Sequence, residues 1–160
     1  MKFLKDGVTH KFMADHMAKR ACEWLRFMGY DVEYPDVHYD NEILKICIEN
    51  NLILLTRDIE FYKRYSLSIF LDSTDYKDQV SEIISLFPPD KKLFFTRCPV
   101  CNSILVDVST DTLDPLKYTM VRQKFKTVKY CKKCNKYYWE GSHYKKILNE
   151  INKILKFKSI

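Results

Sequence analysis

Four cysteines constrain this chain more than any other feature. They form two matched pairs, Cys98-Pro-Val-Cys101 and Cys131-Lys-Lys-Cys134, with 29 residues between them. Each Cys-x-x-Cys turn aims two thiolates at one point, and two such turns complete the tetrahedral sulfur cage that Zn2+ favours. Four sulfur ligands leave no open coordination position, so the single zinc ion expected here is structural. Asn102 and Asn135 follow the two knuckles, and Asn tolerates the left-handed backbone that lets a chain leave a tight turn. Two disulfides or a redox pair are the competing readings. A reducing compartment disfavours both. The first eleven residues are polar and lack the apolar stretch of a secretory signal. No run approaches the roughly 18 apolar residues of a membrane span. These features point to a soluble, cytoplasmic protein with no membrane partner. Cys22 and Cys47 stand alone on predicted helices and read as small buried hydrophobes.

Charge divides the chain. Residues 1–90 carry 11 Lys/Arg against 16 Asp/Glu, and residues 91–160 carry 16 against 5. The second part, at net +11, suits a polyanion, with nucleic acid the first candidate. A solvated lysine-rich surface is the plainer alternative. Lys129, Lys132, Lys133 and Lys136 lie among Tyr130, Tyr137, Tyr138 and Trp139. Lysine interleaved with aromatics can pair phosphates and stack bases. The same aromatics can equally pack the small zinc core.

The first 87 residues alternate short apolar strands with helical patterns. Strand candidates are 11–14, 31–34, 52–55 and 67–71. A helix with Met17, Ala21, Trp24, Leu25 and Met28 inward ends at Gly29. A second begins with Asp40 as its cap and buries Ile43, Leu44, Cys47 and Ile48. A third follows Asp58, and a fourth runs from about Tyr76 to Phe87. Four β-α repeats imply an α/β domain with a mainly parallel sheet. Pro88-Pro89 marks the expected boundary, giving domains of 1–89 and 90–160. The second holds the ribbon and a closing helix from about Ser142 to Lys156.

Ligands of parallel sheets bind beyond the carboxyl ends of the strands. Asp15 follows the first strand, Asp58 lies just past the third in Thr56-Arg57-Asp58, and Asp72 and Asp75 follow the fourth. Asp40 and Glu42 open the second helix. Carboxylates converging on one edge repel unless cations join them, and such oxygen sites suit Mg2+ or Mn2+. Two ions of this type can activate water for phosphodiester hydrolysis. Helix capping accounts for Asp40, Asp58 and Asp75 without any metal. Arg20 and Arg57 either contact phosphate or neutralise the acidic edge. His16 reads as a surface residue.

A family resemblance rests on these residues. Phe12-Met-Ala-Asp15, Met17, Arg20, Trp24-Leu25-Arg26 and Gly29-Tyr30-Asp31 resemble the opening of the Mut-seven C-terminal RNase family. Asp40-x-Glu42-Ile43-Leu44, Leu54-Leu55-Thr56-Arg57-Asp58 and Thr96-Arg97-Cys98-x-x-Cys101-Asn102 continue the match. It closes with Cys131-x-x-Cys134 and Tyr138-Trp139-x-Gly141-Ser142-His143, so it spans about residues 12–147. Lys19 stands where the family usually has glycine. The resemblance implies a PIN-like three-layer domain, then a small four-cysteine zinc ribbon and a C-terminal helix. It further implies metal-dependent cleavage of single-stranded RNA. Asp15, Asp40 and Asp58 match the acidic positions, with Glu42 and Asp75 less closely placed. Arg97 and His143 join the basic residues as candidate RNA contacts. A non-catalytic module that binds RNA or a ribosome through the same fold is the alternative. A ribbon acting on protein partners alone would show no RNA affinity.

Overall fold

The computed structural model describes residues 10–157. It divides into two compact units, Met1–Asn102 and Ser103–Ile160. The first cysteine knuckle therefore belongs to the first unit, although α4 (Tyr76–Leu86) does end at the Pro88-Pro89 break.

Strands β1 (Lys11–Ala14), β2 (Asp31–Glu33), β3 (Ile53–Thr56) and β4 (Ser68–Phe70) form one sheet in the order β2-β1-β3-β4. Every pairing in it is parallel. Parallel neighbours need crossovers, supplied here by α1 (Lys19–Phe27), α2 (Asp40–Asn50) and α3 (Ile59–Arg64). All four residues of β3 are buried, as expected of a central strand covered on both faces. The two-residue period of the strands sorts the core. Met13 and Leu54 pack with Ile43, Cys47 and Phe61 on one face. Phe12 points the other way and meets the edges of Tyr30 and Phe87, with centroids 6.1 and 5.1 Å apart. On that face α1 packs against α4, and Trp24 stacks on Tyr76 at 5.5 Å. Helices thus cover both sides of the sheet, as in a three-layer PIN-like domain.

Three local expectations are corrected. Met17 is 57% exposed, because Asp15 caps a short 3-10 turn, His16–Ala18, and α1 begins only at Lys19. Ile48 is 61% exposed, which narrows the inner face of α2 to the buried Ile43 and Cys47 with Leu44 and Ile46 packed beside them. Asp40 is not a cap. Tyr39 holds that position, without a side-chain hydrogen bond, and Asp40 is the first helical residue.

The second unit contains β5 (Val106–Ser109), β6 (Thr127–Cys131) and β7 (Lys136–Tyr138) in one antiparallel sheet. Between the knuckles the chain forms a 3-10 turn, Thr110–Thr112, and a short α5 (Thr119–Lys124). Leu113 and Val121 bury against Val128 of β6, with Tyr118, Phe125 and Tyr137 packed around them. The closing helix α6 (Ser142–Phe157) buries Ile147, Ile151 and Ile154 and exposes Lys145, Lys146, Lys153 and Lys156. No described helix is long and apolar enough to cross a membrane.

Candidate functional site

The strand order makes the chain leave β1 for β2 on one side, then return to β3 on the other. That reversal opens a crevice beyond the carboxyl ends of β1 and β3. Asp15 and the Thr56-Arg57-Asp58 segment sit there. The backbone N–H of Asp15 donates to the Leu55 carbonyl at 3.0 Å, so Asp15 is fixed by the sheet itself. Its carboxylate accepts from the Met17 N–H at 3.0 Å through Oδ1 and from the Thr56 hydroxyl through Oδ2. Thr56, fully buried, in turn accepts from the Asp58 N–H at 2.9 Å. Asp15 is only 5% exposed. Burial raises its pKa above the ordinary carboxylate value. The bonds from Thr56, Met17 and the Arg57 backbone oppose that shift, and the charge of Asp58 adds to it. A buried carboxylate with a second acid beside it is an environment that a cation would relieve.

The other acids are placed differently. Asp58 caps α3, with Oδ1 accepting from Glu60 and Phe61 N–H groups at 2.9 and 3.1 Å. Asp75 caps α4 and takes the Lys77 N–H at 2.7 Å. Capping therefore occupies one oxygen of each. Asp40 and Glu42 are exposed in the first turn of α2. Asp72 is exposed, and its carbonyl accepts from Arg57 Nη2 at 3.2 Å. The Thr56 hydroxyl thus bridges the Asp15 carboxylate and the Asp58 backbone N–H, whereas among the described residues no such bridge joins Asp40, Glu42 or Asp75 to Asp15.

The cysteines do converge. Among the described residues, Cys98, Cys101, Cys131 and Cys134 are the one group of three or more His, Cys, Asp or Glu side chains able to share an ion. Their sulfurs all lie within 4.8 Å of one another. A tetrahedral zinc cage needs sulfur separations of about 3.8 Å, so the donor set and spacing fit Zn2+. None of the four is in a disulfide. Asn102 and Asn135 adopt φ of 70° and 53°, as their positions after the knuckles suggest. The Cys134 N–H points at Cys131 Sγ, 3.4 Å away. The two remaining cysteines are inert by comparison. Burial pushes the Cys22 thiol up to about 12 and the Cys47 thiol up to about 11.

The sequence singles out Arg26, Arg97 and Asn102 but not their shared task, which is to hold the first knuckle in place. Arg26, 4% exposed, donates to the Val32 carbonyl at 2.8 Å and to the Pro99 and Val100 carbonyls at 3.0 and 3.1 Å. Asn102 Oδ1 accepts from the Val32 N–H at 3.1 Å, and Asn102 Nδ2 donates to Asp31 and Glu33 at 2.7 and 3.2 Å. Arg97 donates to the Asn102 carbonyl at 3.0 Å and lies 3.6 Å from Asp31. The knuckle is therefore laced to edge strand β2. For Arg26 the signal in the sequence is an arginine at a helical position that the apolar stripe does not use.

The candidate RNA contacts also divide. Arg97 serves the knuckle. Arg20 lies over the Tyr76 ring at 4.0 Å, and Lys129 pairs with Asp107 at 2.9 Å. Lys132, Lys133 and Lys136 are exposed around the second knuckle, and His143 is exposed in the first turn of α6. The ribbon aromatics pack on one another. Tyr130 stacks on Tyr137 at 4.8 Å, and Tyr118 meets the rings of Tyr137 and Trp139. Trp139 stays 37% exposed. A Cβ at Gly141 would come within 3.0 Å of its indole, a tight contact that the ring would have to yield to.

The sequence profile of the Mut7-C RNAse domain matches residues 10–151, most of the chain. The chain belongs to the Mut7-C RNAse domain family. No curated protein and no solved structure gives a significant match. Membership in Mut7-C assigns an RNase domain, with RNA as the substrate class, to a fold that carries a four-cysteine cluster able to hold zinc.

Proposed function

We propose that this protein is a metal-dependent endoribonuclease that hydrolyses phosphodiester bonds of single-stranded RNA in the cytoplasm. The observation that carries this reading is the buried Asp15 carboxylate at the β1–β3 crevice, linked through Thr56 to the Asp58 backbone and acted on by the Asp58 charge. Asp15 and Asp58 would hold Mg2+ or Mn2+, whereas Asp40, Glu42 and Asp75 form no group of described residues able to share one ion with them. Oxygen-only donors suit these hard cations. A cation bound there supplies Lewis-acid activation of water and charge neutralisation at the phosphate. Within the chain, Asp15 is held by fixed donors and cannot swing away. The Met17 N–H and the Thr56 hydroxyl each take one lone pair, one on each oxygen, and leave the second lone pair of each oxygen for a cation. Arg57 follows directly and lies at the same strand end to meet a phosphate. The ribbon, with structural zinc at Cys98, Cys101, Cys131 and Cys134, would present Lys132, Lys133, Lys136, Trp139 and His143 to RNA. Its positive charge would offset the repulsion of RNA by the acidic edge.

A second reading has one observation in its favour. None of Asp15, Asp40, Glu42, Asp58 and Asp75 belongs to a group of three or more described residues able to share an ion, and Asp40 and Glu42 stand exposed. A non-catalytic module binding RNA or a ribosome would tolerate that arrangement. The purified protein, given Mn2+ and a single-stranded RNA, separates the two. Cleavage that falls at least about a hundredfold in both Asp15→Asn and Asp58→Asn supports the nuclease. Equal cleavage by wild type and both variants sinks the active-site assignment. Salt-sensitive binding without cleavage favours the second reading.

A further inference from the structure

Immediately beside Asp15 lies a cluster of planar side chains that neither the fold nor the acidic site explains. His16 follows Asp15 on the 3-10 turn and is exposed. Its Nε2 lies 2.9 Å from the Val37 carbonyl, which can only accept, so that nitrogen carries the proton. Its Nδ1 lies 3.4 Å from the Tyr34 hydroxyl, and the Tyr34 ring meets the imidazole edge-on at 5.6 Å. Two partners thus fix the ring. The exposed His38 imidazole lies nearly parallel to it, at 20° with centroids 6.2 Å apart. Lys19 places its ammonium 5.8 Å from the Tyr34 ring.

The next residue along the loop is out of place for stability. Tyr39 is the N-cap of α2, makes no side-chain cap bond and is 73% exposed. Ser, Thr, Asp or Asn would stabilise that end of the helix, and an aromatic does not. A stability rule broken by an exposed residue at the active edge points to a binding role.

We propose that His16, His38 and Tyr39, with Tyr34 bracing His16, form a nucleobase-stacking subsite that seats one unstacked base of single-stranded RNA beside Asp15. The proposal rests on the reading of Asp15 as the reactive edge. Imidazole and phenol faces stack on any base without selecting its hydrogen-bonding edge, so the subsite is sequence-tolerant. Lys19 supplies the neighbouring positive charge for the phosphate of the same nucleotide. A base in a duplex cannot reach the rings, which makes single-strandedness a requirement of the site.

The test uses the full chain without added Mg2+ or Mn2+, so binding is read apart from cleavage. The probes are a short single-stranded RNA bearing one 2-aminopurine and the same RNA with abasic positions. Wild type should quench the 2-aminopurine and bind the base-bearing RNA more tightly than the abasic one. The His38→Ala/Tyr39→Ala double variant should lose the quenching and about tenfold in affinity for the base-bearing RNA only. The His38→Phe/Tyr39→Phe variant should retain both, which separates loss of stacking from loss of fold. The proposal fails if the alanine variant discriminates base-bearing from abasic RNA as wild type does, or if wild type binds neither. If wild type never cleaves with Mn2+ yet the stacking results hold, the nuclease reading fails and the subsite stands. Asp15-dependent cleavage with unaltered discrimination in the alanine variant leaves the nuclease and removes the subsite.

Discussion

At Asp15 a buried carboxylate takes the Thr56 hydroxyl, which in turn accepts the Asp58 backbone N–H, and the charge of Asp58 lies close enough to act on it. Burial raises the Asp15 pKa in the folded protein. Between the unfolded value, about 3.9, and the raised folded value, the native state holds more protons than the unfolded chain. Stability from this group is therefore greatest in acid and falls as pH rises through that window. Near neutrality the charged form is a net cost unless a cation joins it. Asp15→Asn should then melt at a higher temperature than wild type near neutral pH without added Mg2+ or Mn2+. The difference should shrink as pH is lowered through the window. Mn2+ should raise the melting temperature of wild type and leave the variant unmoved. Thermal melts across pH, with and without Mn2+, check all three outcomes, and a variant no more stable than wild type at neutral pH would contradict a net cost at Asp15. Sites that trade stability for function behave in this way.

At the level of elements, the turn after α1 is the tightest constraint. Gly29 has φ of 87°, and a Cβ there would come within 2.5 Å of both the Leu93 Cβ and carbonyl oxygen. The segment it meets continues through Phe95, whose N–H donates to the Phe27 carbonyl at 2.8 Å, toward the first knuckle. Gly29→Ala combines a left-handed backbone with a clash against backbone atoms. It should cost roughly 2–4 kcal/mol in urea unfolding, with m unchanged. A loss below about 1 kcal/mol would mean that Leu93 yields easily. Gly29 could be identified from sequence as a helix stop, because glycine just past an apolar stripe is a local signal. Its second role, receiving Leu93, involves a partner over sixty residues along the chain and leaves no local trace. The same holds for Arg26 and Asn102. Asn102 is legible as a turn residue, whereas its bonds to Val32, Asp31 and Glu33 are not.

For the whole molecule, the charge division between residues 1–90 and 91–160 governs how RNA would be met. Replacing Lys132, Lys133 and Lys136 by Gln should reduce the slope of log affinity against log salt by about 2, if each contacts a phosphate. Fluorescence titrations at several salt concentrations measure it, and an unchanged slope would place the RNA elsewhere. The sequence by itself determined the β-α repeats, the parallel sheet, the four-cysteine cluster and the family. These rest on periodicity, short-range turn chemistry and ligand spacing, all of which are local in the chain. It also placed Asp15 and Asp58 at one strand edge. Only the tertiary structure decided that Thr56 joins them, that Tyr39 rather than Asp40 caps α2, and that His16 stacks near His38. Each depends on strand order and on which loop ends meet across the sheet, and no residue spacing encodes that meeting. The four cysteines are the reverse case: their separation spans 29 residues, yet the chemistry of a sulfur cage makes their convergence readable before any fold is known.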